Sequence, residues 1–192
     1  MYNKKFGYKL FKGNVFKELV KMLLEDFGYI TAPYGYENQF STMIKNELSM
    51  NDSETARRIR CSPDLLVYDQ DSKVINLVEV KMSAKEYITI TKIEDYREFW
   101  GDAIMGAVIN DDKDLFYAEK IRDLRSATHR KYHTPRDDFR RIQELFPKIK
   151  SEELDKYRKL ARKMLDATSY KQDEEESDNQ EHTPNLPAKP MV

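Results

Sequence analysis

The chain has 192 residues, of which 40% are hydrophobic and 35% are charged, with a formal net charge of −1. This length and composition accommodate one domain with a proper core plus a tail. Cys61 is the only cysteine, which excludes an intramolecular disulfide, a cysteine-based zinc site and an iron–sulfur cluster.

The sequence also lacks the features of a membrane or secreted protein. No apolar run approaches the length that spans a bilayer, and the polar N-terminal segment does not have the pattern of a signal peptide. We therefore expect an intracellular protein of a reducing cytoplasm, without a membrane partner.

The near-neutral net charge hides a segregation of charge along the chain. Residues 1–21 hold six lysines against one glutamate, and residues 120–163 hold fifteen Lys and Arg against seven Asp and Glu. The acidic excess lies in the other segments, notably in residues 171–192. Basic segments of this kind are compatible with a nucleic-acid partner despite the average.

The first predicted element is a helix that begins at Asn14 and ends before Gly28. Asn14 is suited to the N-cap and Gly28 to the C′ position. Five apolar residues recur at helical spacing between them: Val15, Leu19, Met22, Leu23 and Phe27. Residues 29–40 then predict a strand or an ordered loop, and residues 41–50 predict a short helix.

Residues 63–81 predict a β-hairpin, because two Leu-, Val- and Ile-rich runs flank a polar cluster at residues 70–73. With the turn centred between residues 71 and 72, residues whose numbers sum to 143 face each other, so Asp64 lies opposite Glu79. Lys81 projects from the same face, two residues beyond Glu79. Two carboxylates and an ammonium group are thus expected to converge.

Such a cluster needs neutralisation, because unpaired carboxylates in a covered sheet cost several kcal/mol. A divalent metal is one answer, since Mg²⁺ or Mn²⁺ takes carboxylate and carbonyl oxygens, with Asp64, Glu79 and the Val80 carbonyl as candidate ligands. The alternative is that Lys81 pairs with one acid while solvent hydrates the other.

At Pro63-Asp64 and Glu79-Val80-Lys81 the chain resembles the PD-(D/E)XK nuclease superfamily, and its layout is most similar to small archaeal and viral nucleases of the Holliday-junction-resolvase type. The resemblance implies a restriction-endonuclease-like α/β fold, with a mixed central β-sheet flanked by helices. It also implies a Mg²⁺- or Mn²⁺-dependent endonuclease acting on DNA, with Asp64, Glu79 and Lys81 as catalytic residues.

Further site residues follow from the resemblance and from charge. In the resembling nucleases a glutamate of the first helix approaches the metal; Glu18 is the nearest match, although counting back from Gly28 puts that position on Lys17. A solvated Glu18 is the alternative. Arg57, Arg58 and Arg60 precede the hairpin and, with Lys12, are candidate DNA contacts. Solvated basic side chains are the alternative there too.

The next four elements complete the expected sheet. Residues 87–91 predict a strand, residues 92–103 an amphipathic helix, and residues 105–110 and 115–120 two more strands. The aromatic residues of this region exceed what one strand and one helix usually need, which favours a homodimer interface: Tyr87, Tyr96, Phe99 and Trp100.

Beyond residue 125 the chain is expected to leave the core of about residues 10–125. Basic helices are predicted over residues 135–146 and from Ser151 to about residue 167, and they complete a single domain of residues 1–170. His129 and His133 are four apart, but without a third ligand a zinc site is not expected. Residues 171–192 predict a disordered acidic tail.

Three functional hypotheses remain at this stage. The first is an endonuclease selective for Holliday junctions or other branched DNA, acting as a homodimer. The second is a restriction-like or end-processing nuclease on linear DNA. The third is a catalytically inactive DNA-binding module with a nuclease-like fold, in which the acids only pair with Lys81.

Overall fold

The computed structural model describes residues 4–85, 87–90, 93–111, 114–124 and 133–177. Within these ranges, the side chains of residues 4–12, 37–38, 42–43, 89, 133–135 and 167–177 fall outside the description. His129 and the side chains of Lys12 and His133 therefore lie outside the described residues. Among the described residues, no helix combines the length and the apolar character that crossing a membrane requires.

The described part of the chain forms helices and strands in alternation. Its helices are α1 (Lys4–Asp26), α2 (Tyr36–Gln39), α3 (Thr42–Met50), α4 (Glu54–Arg60), α5 (Ile93–Trp100), α6 (Ile142–Leu145) and α7 (Asp155–Ser177). Its strands are β1 (Ile30–Pro33), β2 (Leu65–Asp69), β3 (Val74–Ser83), β4 (Tyr87–Thr89), β5 (Ile104–Ile109), β6 (Phe116–Lys120), β7 (His133–Pro135) and β8 (Arg140–Arg141).

The predicted hairpin is confirmed as strands β2 and β3. The two strands are antiparallel, and their register runs from Leu65 opposite Val78 to Asp69 opposite Val74. Every pair sums to 143, as the sequence predicts. The four-residue connection includes Lys73 at φ 60°, a left-handed conformation that a tight turn can require.

These strands form part of a six-stranded mixed sheet in the order β1-β2-β3-β5-β6-β8. Strands β3 and β5 are parallel, and the other neighbours are antiparallel. A second sheet pairs β4 with β7. The predicted fold class, a mixed α/β sheet flanked by helices, is confirmed.

The sheet separates two apolar clusters. One cluster joins α1, α6 and α7 to the side chains of Leu65, Val67, Val78 and Val80. The other joins α5, β4 and the segment around Cys61 to the opposite face of β5 and β6, with Leu77 of β3 packed against it. Because side chains alternate along a strand, Glu79 and Lys81 share the face of Leu77.

Helix α1 begins about ten residues earlier than predicted, so the assignment of Asn14 as its N-cap is wrong. The apolar spacing after Gly13 coincides with the part of α1 whose described side chains pack on the core, and each interior glycine costs only about 1 kcal/mol, so glycine does not end the helix. The predicted end is correct: Gly28 has φ 80°, its N–H binds the Glu25 carbonyl and the Tyr29 N–H binds the Leu24 carbonyl.

The prediction of a helix over residues 135–146 is wrong. Instead, β7 and a 3₁₀ turn at Arg136–Asp138 lead into β8 and the short helix α6. In β8, Arg140 faces Ala118 of β6, and its guanidinium binds the buried Glu119 carboxylate at 2.7 and 3.0 Å. This tertiary pairing overrides the local helical preference.

The expectation that the chain leaves the core after residue 125 is also wrong. Ile142, Phe146, Tyr157 and Leu165 are buried in the same cluster as α1. Helix α7 starts at Asp155 rather than near Ser151 and continues to Ser177. The first seven residues of the expected disordered tail are therefore helical, and residues 178–192 lie outside the described part.

Candidate metal centre

Two buried carboxylates lie where β2 begins. Asp64 immediately precedes β2 and is 5% exposed, and Glu79 in β3 is 3% exposed. The register that ends at Leu65 and Val78 would continue with Asp64 opposite Glu79. Charged groups buried this deeply need partners, because burial strongly disfavours an isolated charge.

The Asp64 carboxylate is held through both of its oxygens. Its Oδ2 accepts a 2.8 Å hydrogen bond from the Val80 N–H, and its Oδ1 lies 2.6 Å from the Lys17 ammonium. The backbone is fixed as well, because the Asp64 carbonyl accepts hydrogen bonds from the N–H groups of Tyr34 and Gly35. Asp64 is thus connected to α1, to β3 and to the segment after β1.

The Glu79 carboxylate has a different arrangement. Its Oε1 accepts a 2.7 Å hydrogen bond from the Tyr96 hydroxyl of α5 and is also bonded to the Lys81 ammonium. The Lys81 ammonium lies 5.6 Å from the centre of the Tyr96 ring, within the range of a cation–π contact. Tyr96 therefore orients both the acid and the base of this pair.

The electrostatic balance of the site shows in its pKa values. Burial, together with the negative charge of Glu79, raises the pKa of Asp64 to about 7, although Lys17 opposes the shift. Burial lowers the pKa of Lys81, but the charge of Glu79 and the bond to it outweigh burial, so this pKa ends above its ordinary value. Burial and Glu79 raise the pKa of Tyr96.

The Val80 carbonyl points to the same side of β3 as the Val80 N–H that binds Asp64. In an extended strand the N–H and the C=O of one residue point to the same side, and the Val80 N–H reaches Asp64. The residue opposite Val80 in the continued register is Pro63, which has no N–H to donate. The ladder therefore supplies no N–H to the Val80 carbonyl at this position.

Two site residues were missed from the sequence as partners of the acids. From the sequence, Lys17 is only an alternative position for a glutamate, and Tyr96 belongs to an aromatic stripe typical of a core or an interface. Tyr96 is 8% exposed and belongs to the second cluster, so its apolar spacing was a correct signal of burial. The useful signal was that a buried tyrosine hydroxyl usually needs a partner.

Glu18 is not brought to this cluster. Its side chain is 66% exposed and its ion-pair partner is Lys21, 3.8 Å away and one turn along α1. Because adjacent residues on a helix point about 100° apart, the helix that turns Lys17 towards Asp64 turns Glu18 away.

The three candidate arginines have different surroundings. Arg57 binds Asp95 at 2.5 Å and Glu98 at 3.0 Å on α5, and Arg60 donates to the carbonyls of Leu48 and Asn51. Both side chains therefore hold neighbouring segments together.

Arg58 is exposed, with its guanidinium 5.6 Å from the Trp100 ring centre. It is the most accessible of the three arginines.

The donor set of this site fits a hard divalent cation. Asp64 and Glu79 offer carboxylate oxygens and Val80 a carbonyl, which are the oxygen ligands that Mg²⁺ prefers, with water in its remaining positions. Within the described ranges, no three His, Cys, Asp or Glu side chains form a metal-binding group. The protein ligands would therefore be two carboxylates and one carbonyl.

No protein-family model matches the sequence, and no curated protein matches it. One similar solved structure is Hjc, a Holliday junction resolvase of the archaeal hyperthermophile Archaeoglobus fulgidus, at 13% identity and a TM-score of 0.46. That match covers 69% of this chain and 98% of Hjc, and similarity this low carries no information about activity.

Proposed function

We propose that this protein is a metal-dependent endonuclease that hydrolyses phosphodiester bonds in DNA. The observation that carries the proposal is the convergence of two buried carboxylates, Asp64 and Glu79, with Lys81 at the start of β2. A buried pair of acids with a raised carboxyl pKa is costly even when lysines neutralise part of its charge, and perturbed ionisable groups of this kind cluster at functional sites.

In this proposal, Asp64, Glu79 and the Val80 carbonyl hold Mg²⁺ or Mn²⁺. The bound cation would polarise the phosphate and lower the pKa of a water nucleophile. Lys81 would orient that water or offset the charge that develops on the phosphate oxygens. Tyr96 would hold Glu79 in place by donating a hydrogen bond from its hydroxyl to Oε1.

DNA affinity in this proposal comes from the basic surface. Arg58 is the best placed of the three candidate arginines because it is exposed, and Lys12 and the basic residues 120–163 would contribute further phosphate contacts. The preference for branched DNA, such as a Holliday junction, rests on the resemblance of the sequence to junction-resolving nucleases.

A symmetric homodimer is part of the proposal, because one such centre cuts one strand and a junction requires two cuts. The aromatic residues that favoured it have intramolecular contacts: Tyr96 binds Glu79, and the Trp100 N–H binds the Arg58 carbonyl at 3.3 Å. The argument for a dimer therefore rests on the two strand cuts that resolution of a junction requires. Sedimentation equilibrium at micromolar concentration tests it, and a monomeric mass with junction cleavage intact would contradict it.

The decisive assay is cleavage of labelled four-way junctions and matched linear duplexes with Mg²⁺, Mn²⁺ or EDTA. Glu79→Gln and Lys81→Ala should abolish cleavage, while DNA affinity should be unchanged or, for Glu79→Gln, higher. Glu153→Gln, at an exposed carboxylate, is the matched control. Wild-type cleavage rates in Glu79→Gln would contradict the site, and cleavage of linear duplexes alone would favour a restriction-like or end-processing nuclease.

A second candidate is a DNA-binding module without catalysis. The observation that favours it is that each acid already has an ammonium partner, Lys17 on Asp64 and Lys81 on Glu79. Isothermal titration with Mn²⁺ separates the two, since a module of this kind would bind DNA but not the cation.

A further inference from the structure

The ion pair between Lys17 and Asp64 blocks one side of the candidate site. Lys17 projects from α1, its Nζ lies 2.6 Å from Asp64 Oδ1, and its side chain is 23% exposed. The other oxygen, Oδ2, accepts the Val80 N–H at 2.8 Å. Both carboxylate oxygens of Asp64 are thus engaged by donors of the protein.

The two acids differ in what they can offer to a cation. At Glu79 both described partners, Tyr96 and Lys81, bond to Oε1, so Oε2 can approach a cation without the loss of either bond. At Asp64 a cation that approaches Oδ1 meets the Lys17 ammonium. Two positive charges at one oxygen repel strongly in a site of low dielectric.

We propose that Lys17 is a built-in counter-ion of Asp64 that competes with the divalent cation and so sets the cation concentration at which the site fills. This inference rests on the proposed function. When the cation binds, the Lys17 ammonium leaves Oδ1, and its partial exposure gives it a path towards solvent. The position that the sequence resemblance associates with an acidic ligand thus has the opposite effect on cation affinity here.

A purely structural role of Lys17 would have a different effect on cation affinity. If Lys17 only attaches α1 to the sheet, its removal should leave cation affinity unchanged or weaken it by loosening Asp64. If Lys17 competes, removing its charge should strengthen cation binding. The sign of the change in affinity separates the two roles without any measurement of cleavage.

The test is isothermal titration of the full chain with Mn²⁺ at pH 8, without DNA. Lys17→Met removes the charge and keeps the length of the side chain, and Lys17→Arg keeps the charge. Lys21→Met is the matched control, since Lys21 lies on the same helix at 27% exposure and pairs with Glu18 at 3.8 Å. We expect Mn²⁺ to bind Lys17→Met at least about tenfold more tightly than wild type, and Lys21→Met within about twofold.

Thermal unfolding with and without Mn²⁺ provides a second measurement in case Lys17→Met is destabilised. We expect a lower melting temperature than for Lys21→Met in EDTA and a larger rise on adding Mn²⁺, because the cation replaces the missing counter-charge. Equal or weaker Mn²⁺ binding by Lys17→Met than by Lys21→Met would overturn the inference.

The outcomes also separate failure of this inference from failure of the proposed function. If wild type binds Mn²⁺ and cleaves DNA while Lys17→Met and Lys21→Met have the same affinity, only the inference fails. If neither wild type nor any variant binds Mn²⁺, both the inference and the metal-dependent function are wrong. Binding by Lys17→Met alone would support the inference.

Discussion

Asp64→Asn should stabilise the protein in the absence of divalent cations, and the gain should grow with pH. Burial and the negative charge of Glu79 raise the pKa of Asp64 from its ordinary value of 3.8 to about 7. A carboxyl group with a raised pKa in the folded state stabilises that state below its unfolded pKa, and this stabilisation is lost as the pH rises through the folded pKa. Asparagine does not titrate, so the unfolding free energy of Asp64→Asn lacks this pH dependence.

The size of the effect follows from the two pKa values. Each unit of difference corresponds to about 1.4 kcal/mol, so the linkage relation gives a wild-type loss on the order of 2 kcal/mol between pH 5 and pH 8. The amide of Asn can still accept the Val80 N–H but cannot pair with Lys17. The pKa of about 7 already includes the opposing effect of Lys17 on Asp64, so loss of the ion pair does not remove the slope with pH.

The assay is urea unfolding of wild type and Asp64→Asn in EDTA at several pH values between 5 and 8. Glu153→Gln, which removes one exposed carboxylate, controls for the change in net charge. A stability difference between wild type and Asp64→Asn that stays constant across this range would refute the reasoning. It would mean that Lys17 and the Val80 N–H keep Asp64 fully ionised despite its burial.

Three further predictions concern the same site and the hairpin. Because a cation must displace the proton of Asp64 below pH 7, apparent Mn²⁺ affinity measured by titration calorimetry should fall up to tenfold per pH unit below 7 and level off above it. Tyr96→Phe removes the hydroxyl bonded to Glu79 and should lower the unfolding free energy in urea by about 1.5–3 kcal/mol; an unchanged value would contradict that bond. Lys148 lies 2.5 Å from Asp69 and lowers its pKa to about 2, so this pair stabilises the fold above pH 4 and its contribution is lost as the pH falls through 2. Lys148→Met should flatten that acid dependence in thermal unfolding.

The sequence predicted the hairpin and its register correctly because local information determines both. The polar turn centred between residues 71 and 72 sets which residues of the two apolar runs face each other. The positions of Asp64 and Glu79 follow from that register alone. The same local reasoning placed Gly28 at the end of α1, where only a residue that tolerates positive φ is favoured.

What the sequence did not predict depends on contacts between distant segments. Lys17 and Asp64 are 47 residues apart, and their pairing depends on how α1 is rotated over the sheet. The pairing of β8 with β6 depends on Glu119, whose buried charge attracts Arg140. Periodicity describes one element at a time, so it contains no information on which charged side chains meet.

The arrangement around Asp64 and Glu79 shows how a fold can maintain two close acids before any cation binds. Two ammonium groups balance two carboxylates, and these four side chains come from three elements: α1, the start of β2, and β3. Their geometry therefore depends on how α1 and the two strands are packed. Tyr96 and the Val80 N–H add hydrogen bonds that do not change the net charge. Such neutral donors orient the acids without competing electrostatically with a cation, whereas Lys17 neutralises Asp64 at the oxygen that a cation would approach. Neutral hydrogen bonds thus position the acids, and lysines neutralise them. The charge of Lys17 can therefore be removed while the hydrogen bonds from Tyr96 and the Val80 N–H remain.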